Sequence, residues 1–396
     1  MKKTFLLSIA LVLVGLNLFA QWEPLTSGTS ADLQNVYFIN ASKGFAVGNE
    51  GTILKTENGG IDWTVKPSGT DYPLYGVYFT DDATGYTVGE DGTILKTTDG
   101  GETWLPQYSG TSVILVNIYF NDANTGYIAG LIGTILKTED GGAHWNPQSS
   151  GTTNNLYQIY FTDTNTGYTV GNAGTILKTI NAGVDWTPQT SGTSVILHSV
   201  YFPSVDTGYA SGGSGTILNT VNGGAVWTPQ PSGTTKFLFS IYFPGTTTGY
   251  AVGDNGTILA TTNGGIKWDI QPTGTGNWLV SVYFSDLDTG YAVGQSGTIL
   301  KTTNGGYPVG INEIQNTCNL KISPNPATKK IVIELLKPAG SINGTVIIYG
   351  IAGEEIIRQQ VQDSRTEINV GLLPKGIYFV RLANEERIQT VKFIKE

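Results

Sequence analysis

Cysteine and histidine are nearly missing: across 396 residues there is one cysteine, Cys318, and there are two histidines, His144 and His198. One thiol cannot make an intramolecular disulfide. The set also excludes a multi-cysteine zinc or iron–sulfur centre and leaves little for a histidine-rich catalytic metal site. No metal or cofactor is expected. Arginine is absent between residues 21 and 317, where 9 lysines face 23 acidic residues for a net −14. Such a body lacks the basic surface that nucleic-acid binding requires. Charged residues reach only 13 %, and Lys, Glu and Ala are sparse beside 53 glycines, many threonines and 11 % aromatics. That balance favours strands and turns over helices. At 39 % apolar, the chain can still bury a sizeable core.

The charge is unevenly spread. Residues 318–396 hold 7 lysines, 4 arginines and 8 acidic residues, a net +3. Two parts with different jobs are expected. Residues 1–20 pair a basic start, Lys2 and Lys3, with an apolar run from Phe5 to Leu18 and a final Ala20. This reads as a secretory signal peptide.

The body is a repeat. Gly-Thr-Ile-Leu begins at Gly51, Gly92, Gly133, Gly174, Gly215, Gly256 and Gly297, always 41 residues apart. Tyr-Phe pairs from Tyr37 to Tyr283 and tryptophans from Trp22 to Trp268 keep the same period. Each unit carries four strand-like runs separated by Gly and Asn/Asp turns. Four strands in about forty residues, repeated, imply a β-propeller. Unit seven has Val309 where the period requires a tryptophan, and the extra one is Trp22. The N-terminal strand should therefore complete the last blade as its outermost strand. The expectation is all-β: a seven-bladed propeller over 21–309, a linker at 310–318, and a small Ig-like β-sandwich over 319–396.

Between the third and fourth strands of each unit lies a turn such as Thr97-Thr98-Asp99-Gly100-Gly101-Glu102-Thr103-Trp104. It resembles the Asp-box. Its acid or amide can hold backbone amides, its glycine can supply positive φ, and its tryptophan can pack the hairpin onto the blade. A scaffold role is expected. The whole unit resembles the propeller of the photosystem II assembly and stability factors, which implies the fold. Those factors are associated with an arginine-rich patch that this body does not have, so their assembly role is not carried over. Asp-boxes also mark sialidases, whose arginine triad is equally missing. The Asp/Asn loops, such as Asp122 to Gly126, are short and lack a closing glutamate for calcium.

A repeat varies freely where its scaffold does not constrain it. Just before the recurring leucines, Leu33 to Leu279, the copies diverge: Tyr72-Pro73, Val113-Ile114, Val195-Ile196, Lys236-Phe237, Asn277-Trp278. These positions, with the turns between strands two and three, should ring one mouth of the central channel. Tyr72, Ile114, Ile132, Ile196, Phe237 and Trp278 are the candidate ligand-binding residues, because apolar side chains clustered in loops suggest a contact surface. Their alternative is packing between blades. His198 is expected to be structural, near the same mouth. No catalytic residue stands out.

After Gly310 the pattern changes to short alternating strands: Ser323-Pro324-Asn325-Pro326, a turn at Gly353, Gly376-Ile377-Tyr378-Phe379-Val380 and Lys392-Phe393-Ile394-Lys395. In that order they resemble the type A sorting domain of the Bacteroidetes type IX secretion system. The resemblance implies engagement of that machinery, passage across the outer membrane, and release or surface attachment. The sequence thus points to a secreted or cell-surface protein that recognises a protein or glycan without catalysis. A polysaccharide-active hydrolase using paired carboxylates and a structural surface-layer component remain alternatives.

Overall fold

The computed structural model describes residues 22–306, 320–335, 344–351, 354–361, 363, 365–384 and 388–396. The expected leader, the expected linker, Val309, Cys318 and the Gly353 turn lie outside them. The chain divides into two compact units, one up to Val309 and one from Gly310.

In the first repeat the strands are Leu33–Phe38, Gly44–Gly48, Ile53–Thr56 and Thr64–Lys66, paired antiparallel in that order. The same four-stranded sheet recurs seven times. In the last sheet the outermost strand is Glu23–Leu25, with Glu23 opposite Lys301 and Leu25 opposite Ile299. The N-terminal strand closes the ring. Trp22 is buried and meets Phe284 edge-on at 5.8 Å, as Trp63 meets Phe38 at 6.0 Å.

The core lies between blades. The second strand, Gly44-Phe45-Ala46-Val47-Gly48, is buried along its whole length. A side chain at Gly44 would collide with the ring of Phe38, so that ring can lie flat only over a glycine. The blade-one Phe38 stacks on Tyr291 of blade seven at 3.9 Å, and Phe79 of blade two stacks on Phe45 at 4.2 Å. Each fully buried aromatic contributes about 1.5–3 kcal/mol. Because the stack runs from blade to blade, the ring is held by a continuous apolar seam.

The Asp-box turns at one end of the blades satisfy themselves. Thr97 Oγ1 accepts from the Gly101 amide at 2.9 Å, and Asp99 Oδ1 accepts from Glu102 and Thr103 at 3.0 and 2.9 Å. Bonds from Thr103 hold the Asp99 carboxyl far below the usual carboxylate range. The preceding blade also anchors the turn: Tyr86 Oη and Lys96 Nζ both donate to the carbonyl of Gly141 at 2.7 Å. Across the closure, Tyr291 and Lys301 reach Gly59 in the same way at 2.9 and 2.7 Å.

The innermost strands line the channel. Tyr37, Tyr78, Tyr119, Tyr160, Tyr201, Tyr242 and Tyr283 form a closed girdle, with successive ring centroids 4.8–5.5 Å apart. Six of these hydroxyls, all but that of Tyr201, donate to the phenylalanine carbonyl of the next blade at 2.8–3.2 Å. Burial pushes these phenols up from their ordinary range. Above the girdle, side chains at the Asn117 position cap the next blade: Asn117 accepts from the Ile159 amide at 3.1 Å, Gln158 from Val200 at 2.8 Å and Ser199 from Ile241 at 3.0 Å.

The second unit is a sandwich of two antiparallel sheets. One holds Leu320–Ser323, Lys330–Leu335 and Arg365–Asn369; the other runs Glu355–Val361, Gly344–Tyr349, Gly376–Asn384, Ile388–Lys395. Ile322, Ile331 and Ile368 of the first pack with Val346, Val380 and Phe393 of the second.

Candidate functional site

The end of the propeller opposite the Asp-boxes is a cup built from two loops per blade. One loop is the divergent pair before each scaffold leucine; the other is the turn between strands two and three. They are stitched together by one repeated hydrogen bond. The amides of Asn49, Glu90, Leu131, Asn172, Gly213, Asp254 and Gln295 donate to the carbonyls of Asp32, Pro73, Ile114, Asn155, Ile196, Phe237 and Trp278 at 2.9–3.0 Å. The backbone of the rim is therefore satisfied and fixed, while its side chains are free to vary.

The candidate residues sit on this rim. Trp278 is 48 % exposed, Tyr72 47 %, Ile132 64 % and Ile196 36 %. Ile114 and Phe237 are half-buried. Phe237 rests on a neighbour that sequence reading did not single out, Phe239, with ring centroids 4.6 Å apart. Phe239 in turn lies 5.9 Å from Trp278. On the other side His198 stands edge-on to Phe237 at 5.9 Å and stacks on Tyr157 at 4.9 Å. Tyr157, His198, Phe237, Phe239 and Trp278 thus form one aromatic arc over blades four to seven. Tyr72 and Ile132 stand elsewhere on the rim, on blades two and three.

His198 belongs to the arc as a neutral ring. Burial holds its imidazole below the ordinary range, although Nδ1 donates to the Phe239 carbonyl at 2.8 Å. That bond fixes the tautomer and leaves Nε2 as an acceptor. Tyr157 is oriented by donating to Asn172 Oδ1 at 2.8 Å.

Tyr157 and Phe239 escaped sequence reading for a local reason. A β-bulge follows the scaffold leucine in all seven blades, as between Leu33 and Asn35. The extra residue breaks the in–out alternation and turns two consecutive side chains toward the channel. The usable signal was variation: the residue after the leucine is Gln34, Tyr75, Val116, Tyr157, His198, Phe239 and Val280.

Ile132 is unusual in its backbone as well as its exposure. Its φ is +54°, in the left-handed region, followed by Gly133 at +68°. Equivalent positions hold Glu50, Asp91, Ala173, Ser214, Asn255 and Ser296 at the same φ. A β-branched residue there is strained, at a cost of about 1–3 kcal/mol. Its amide donates to Asn155 Oδ1 at 3.0 Å.

A trough of about 610 Å³ lies outside the arc, bounded by Asn154, Thr175, Gln189 and Thr193 and by Ile176, Leu177, Trp186 and Pro188. Among the described residues no group of three or more His, Cys, Asp or Glu is placed to hold a metal ion. No helix among them is long and apolar enough to cross a membrane.

Residues 16–104, 68–145 and 145–231 match the model of the Photosynthesis system II assembly factor YCF48 family. The chain belongs to the YCF48 family. Residues 321–396 match the secretion system C-terminal sorting domain, so this YCF48-family propeller is a secreted protein, delivered to the cell surface or the extracellular space. Its fold is similar to "YCF48 bound to D1 peptide", at a TM-score of 0.63 and 20 % identity over 72 % of this chain and 96 % of that one. It is also similar to YCF48 from Cyanidioschyzon merolae, at 0.62 and 19 %, over 71 % and 98 %. The WD40 propeller of Doa1 aligns at 0.58 and 15 %, over 69 % and 93 %. A funoran endo-beta-hydrolase from Wenyingzhuangia aestuarii is 33 % identical over 89 residues, which is 22 % of this chain and 12 % of that enzyme.

Proposed function

We propose that the propeller is a non-catalytic recognition module, exported through the type IX machinery by its C-terminal domain, and that the cup holds its ligand. The aromatic arc carries this reading. Scaffold positions repeat from copy to copy, whereas the arc is assembled from positions that differ between copies. Large aromatic side chains left half-exposed on a rigid rim are the usual anchors of a binding surface. Ile132 adds to it: backbone strain spent on an exposed apolar side chain brings the fold no packing in return. Tyr72, Ile114, Ile132, Ile196, Phe237 and Trp278 are assigned to ligand contact, with Tyr157 and Phe239 supporting them. A family member with a bound peptide gives a precedent for a polypeptide ligand, and a glycan is the other candidate. Outer-membrane attachment after export fits the sorting domain.

The second reading, a polysaccharide hydrolase, draws on the short match to the funoran enzyme. Paired-carboxylate hydrolysis needs one carboxyl kept protonated near neutrality. The carboxyls that the propeller clearly displaces, among them Asp81, Asp99, Glu102, Asp122 and Asp140, are all held down. Incubating the purified full chain with arrays of glycans and peptides, scored for both retention and cleavage, tests the choice. Retention without cleavage, reduced in Trp278→Ala, is expected. Cleavage of a retained glycan would replace the binding reading with the hydrolase.

A further inference from the structure

The cup is divided by charge as well as by shape. Blades one and two present Glu50, Asp71, Glu90 and Asp91 on its rim, and the first, second and fourth are exposed. None of the four is in an ion pair among the described residues. Every propeller ion pair found there includes a residue of an Asp-box turn: Glu57, Glu102, Glu139, Asp140 or Lys267. The rim loops hold one lysine, Lys236, on blade six. So the fold spends its cations at the box end and leaves this acidic sector uncompensated.

Two phenols are interleaved with these acids. The Glu90 amide donates to the Pro73 carbonyl at 2.9 Å, which sets Tyr72 beside Asp91 and Tyr75 beside Glu90. The nearby carboxylate raises the Tyr72 phenol, and burial followed by the field of Glu90 raises that of half-buried Tyr75. A carboxylate beside an aromatic face is the standard environment for a guanidinium or ammonium group. The aromatic arc, with Phe237, Phe239 and Trp278, lies across the ring from this corner. An occupant that satisfies both must carry a cation and an apolar group and be long enough to reach between them. An extended polypeptide does so at about 3.3 Å per residue.

We infer that the cup binds a basic polypeptide segment, seating a lysine or arginine among Tyr72, Tyr75, Glu90 and Asp91 and an apolar side chain on Phe237 and Trp278. This rests on the recognition reading above and adds the ligand's class. It runs against the charge preference of an arginine-patch propeller, since here the protein supplies the anions.

The probe is a fluorescein-labelled heptapeptide with two arginines flanking a leucine–phenylalanine pair. Its counterpart replaces both arginines by citrulline, which keeps the shape and removes the charge. Anisotropy with the full chain should show citrulline weakening binding about tenfold, the loss of a charge-assisted contact. Glu90→Gln with Asp91→Asn should cost the arginine peptide a similar factor and leave the citrulline peptide unchanged. Trp278→Ala should weaken both. Raising NaCl from about 50 to 500 mM should weaken only the arginine peptide. Unchanged melting temperatures control for folding. Equal affinity for the two peptides, or indifference to the carboxamide variants, overturns the basic segment. Binding of neutral hexasaccharides through Trp278, with neither peptide bound, also overturns it but leaves the recognition reading standing. Retention of no probe, with Trp278→Ala identical to the parent, removes both.

Discussion

The two ends of each blade obey opposite rules. At the Asp-box end the copies repeat the same contacts: a threonine holds a glycine amide, an acid or amide holds the turn, and a tyrosine of the preceding blade holds its carbonyl in six of the seven described blades, joined by a lysine in three. At the cup the backbone bond and one threonine-to-amide bond at the foot of each loop are repeated, while the side chains of the divergent pairs change from copy to copy. The backbone of the box turns is held by side chains of the same and the preceding blade. The cup keeps half-exposed rings, carboxylates that are in no ion pair among the described residues, and one strained isoleucine. Repetition therefore marks what the ring needs to stand, and divergence marks where the ring leaves its side chains unconstrained.

The largest expected effect tests the first half of that contrast. Trp22→Ala removes a buried closing tryptophan and should cost about 3–5 kcal/mol in urea unfolding. Trp278→Ala, at the cup, should stay within about 1 kcal/mol of the parent while ligand retention is lost. Equal destabilisation by the two would make Trp278 scaffold and break the comparison. Next, Thr97→Val leaves the buried Gly101 amide without its acceptor. It should cost about 1–3 kcal/mol without touching binding.

Ile132→Asn should move the other way. Asparagine tolerates positive φ, so the variant should gain about 1 kcal/mol in stability and lose affinity. A loss of stability would mean that Ile132 packs rather than binds. The smallest effect belongs to the box end. Bonds from Lys55 and Lys66 hold Glu102 down at about 2, below its ordinary value of 4.5. A depressed carboxyl contributes its stability above the unfolded value and loses it as pH falls through the folded one. The melting temperature should therefore decline between about pH 4.5 and 2, slightly, because the group is exposed. Glu102→Gln should flatten that decline.

The ring was legible because its signals are covalent and periodic. A 41-residue period without insertions gives the blade count, and the misplaced Trp22 against Val309 gives the closure. The rim was half legible. Tyr72 and Trp278 stand out because copies differ before the leucines. Tyr157 and Phe239 were hidden because a bulge overrides the strand alternation by which they would be placed on a face. The girdle was hidden differently. Tyr37 and its equivalents were visible as a repeat, but a ring of touching phenols exists only once seven separate strands converge on an axis.

The closing strand has a consequence in time. Glu23–Leu25 is among the first parts of the propeller to leave the ribosome, and its partner around Lys301 is among the last. Long-range pairing of this kind is slow to form. Until it forms, blade seven has a bare edge, and the acidic and aromatic sectors have no fixed distance between them. A chain halted after Gly297 but before the strand Ile299–Thr302 holds every rim residue and still has no closed ring. Three residues at the beginning of the propeller thus act as a proof-reader of its end, and only a finished molecule presents a complete rim.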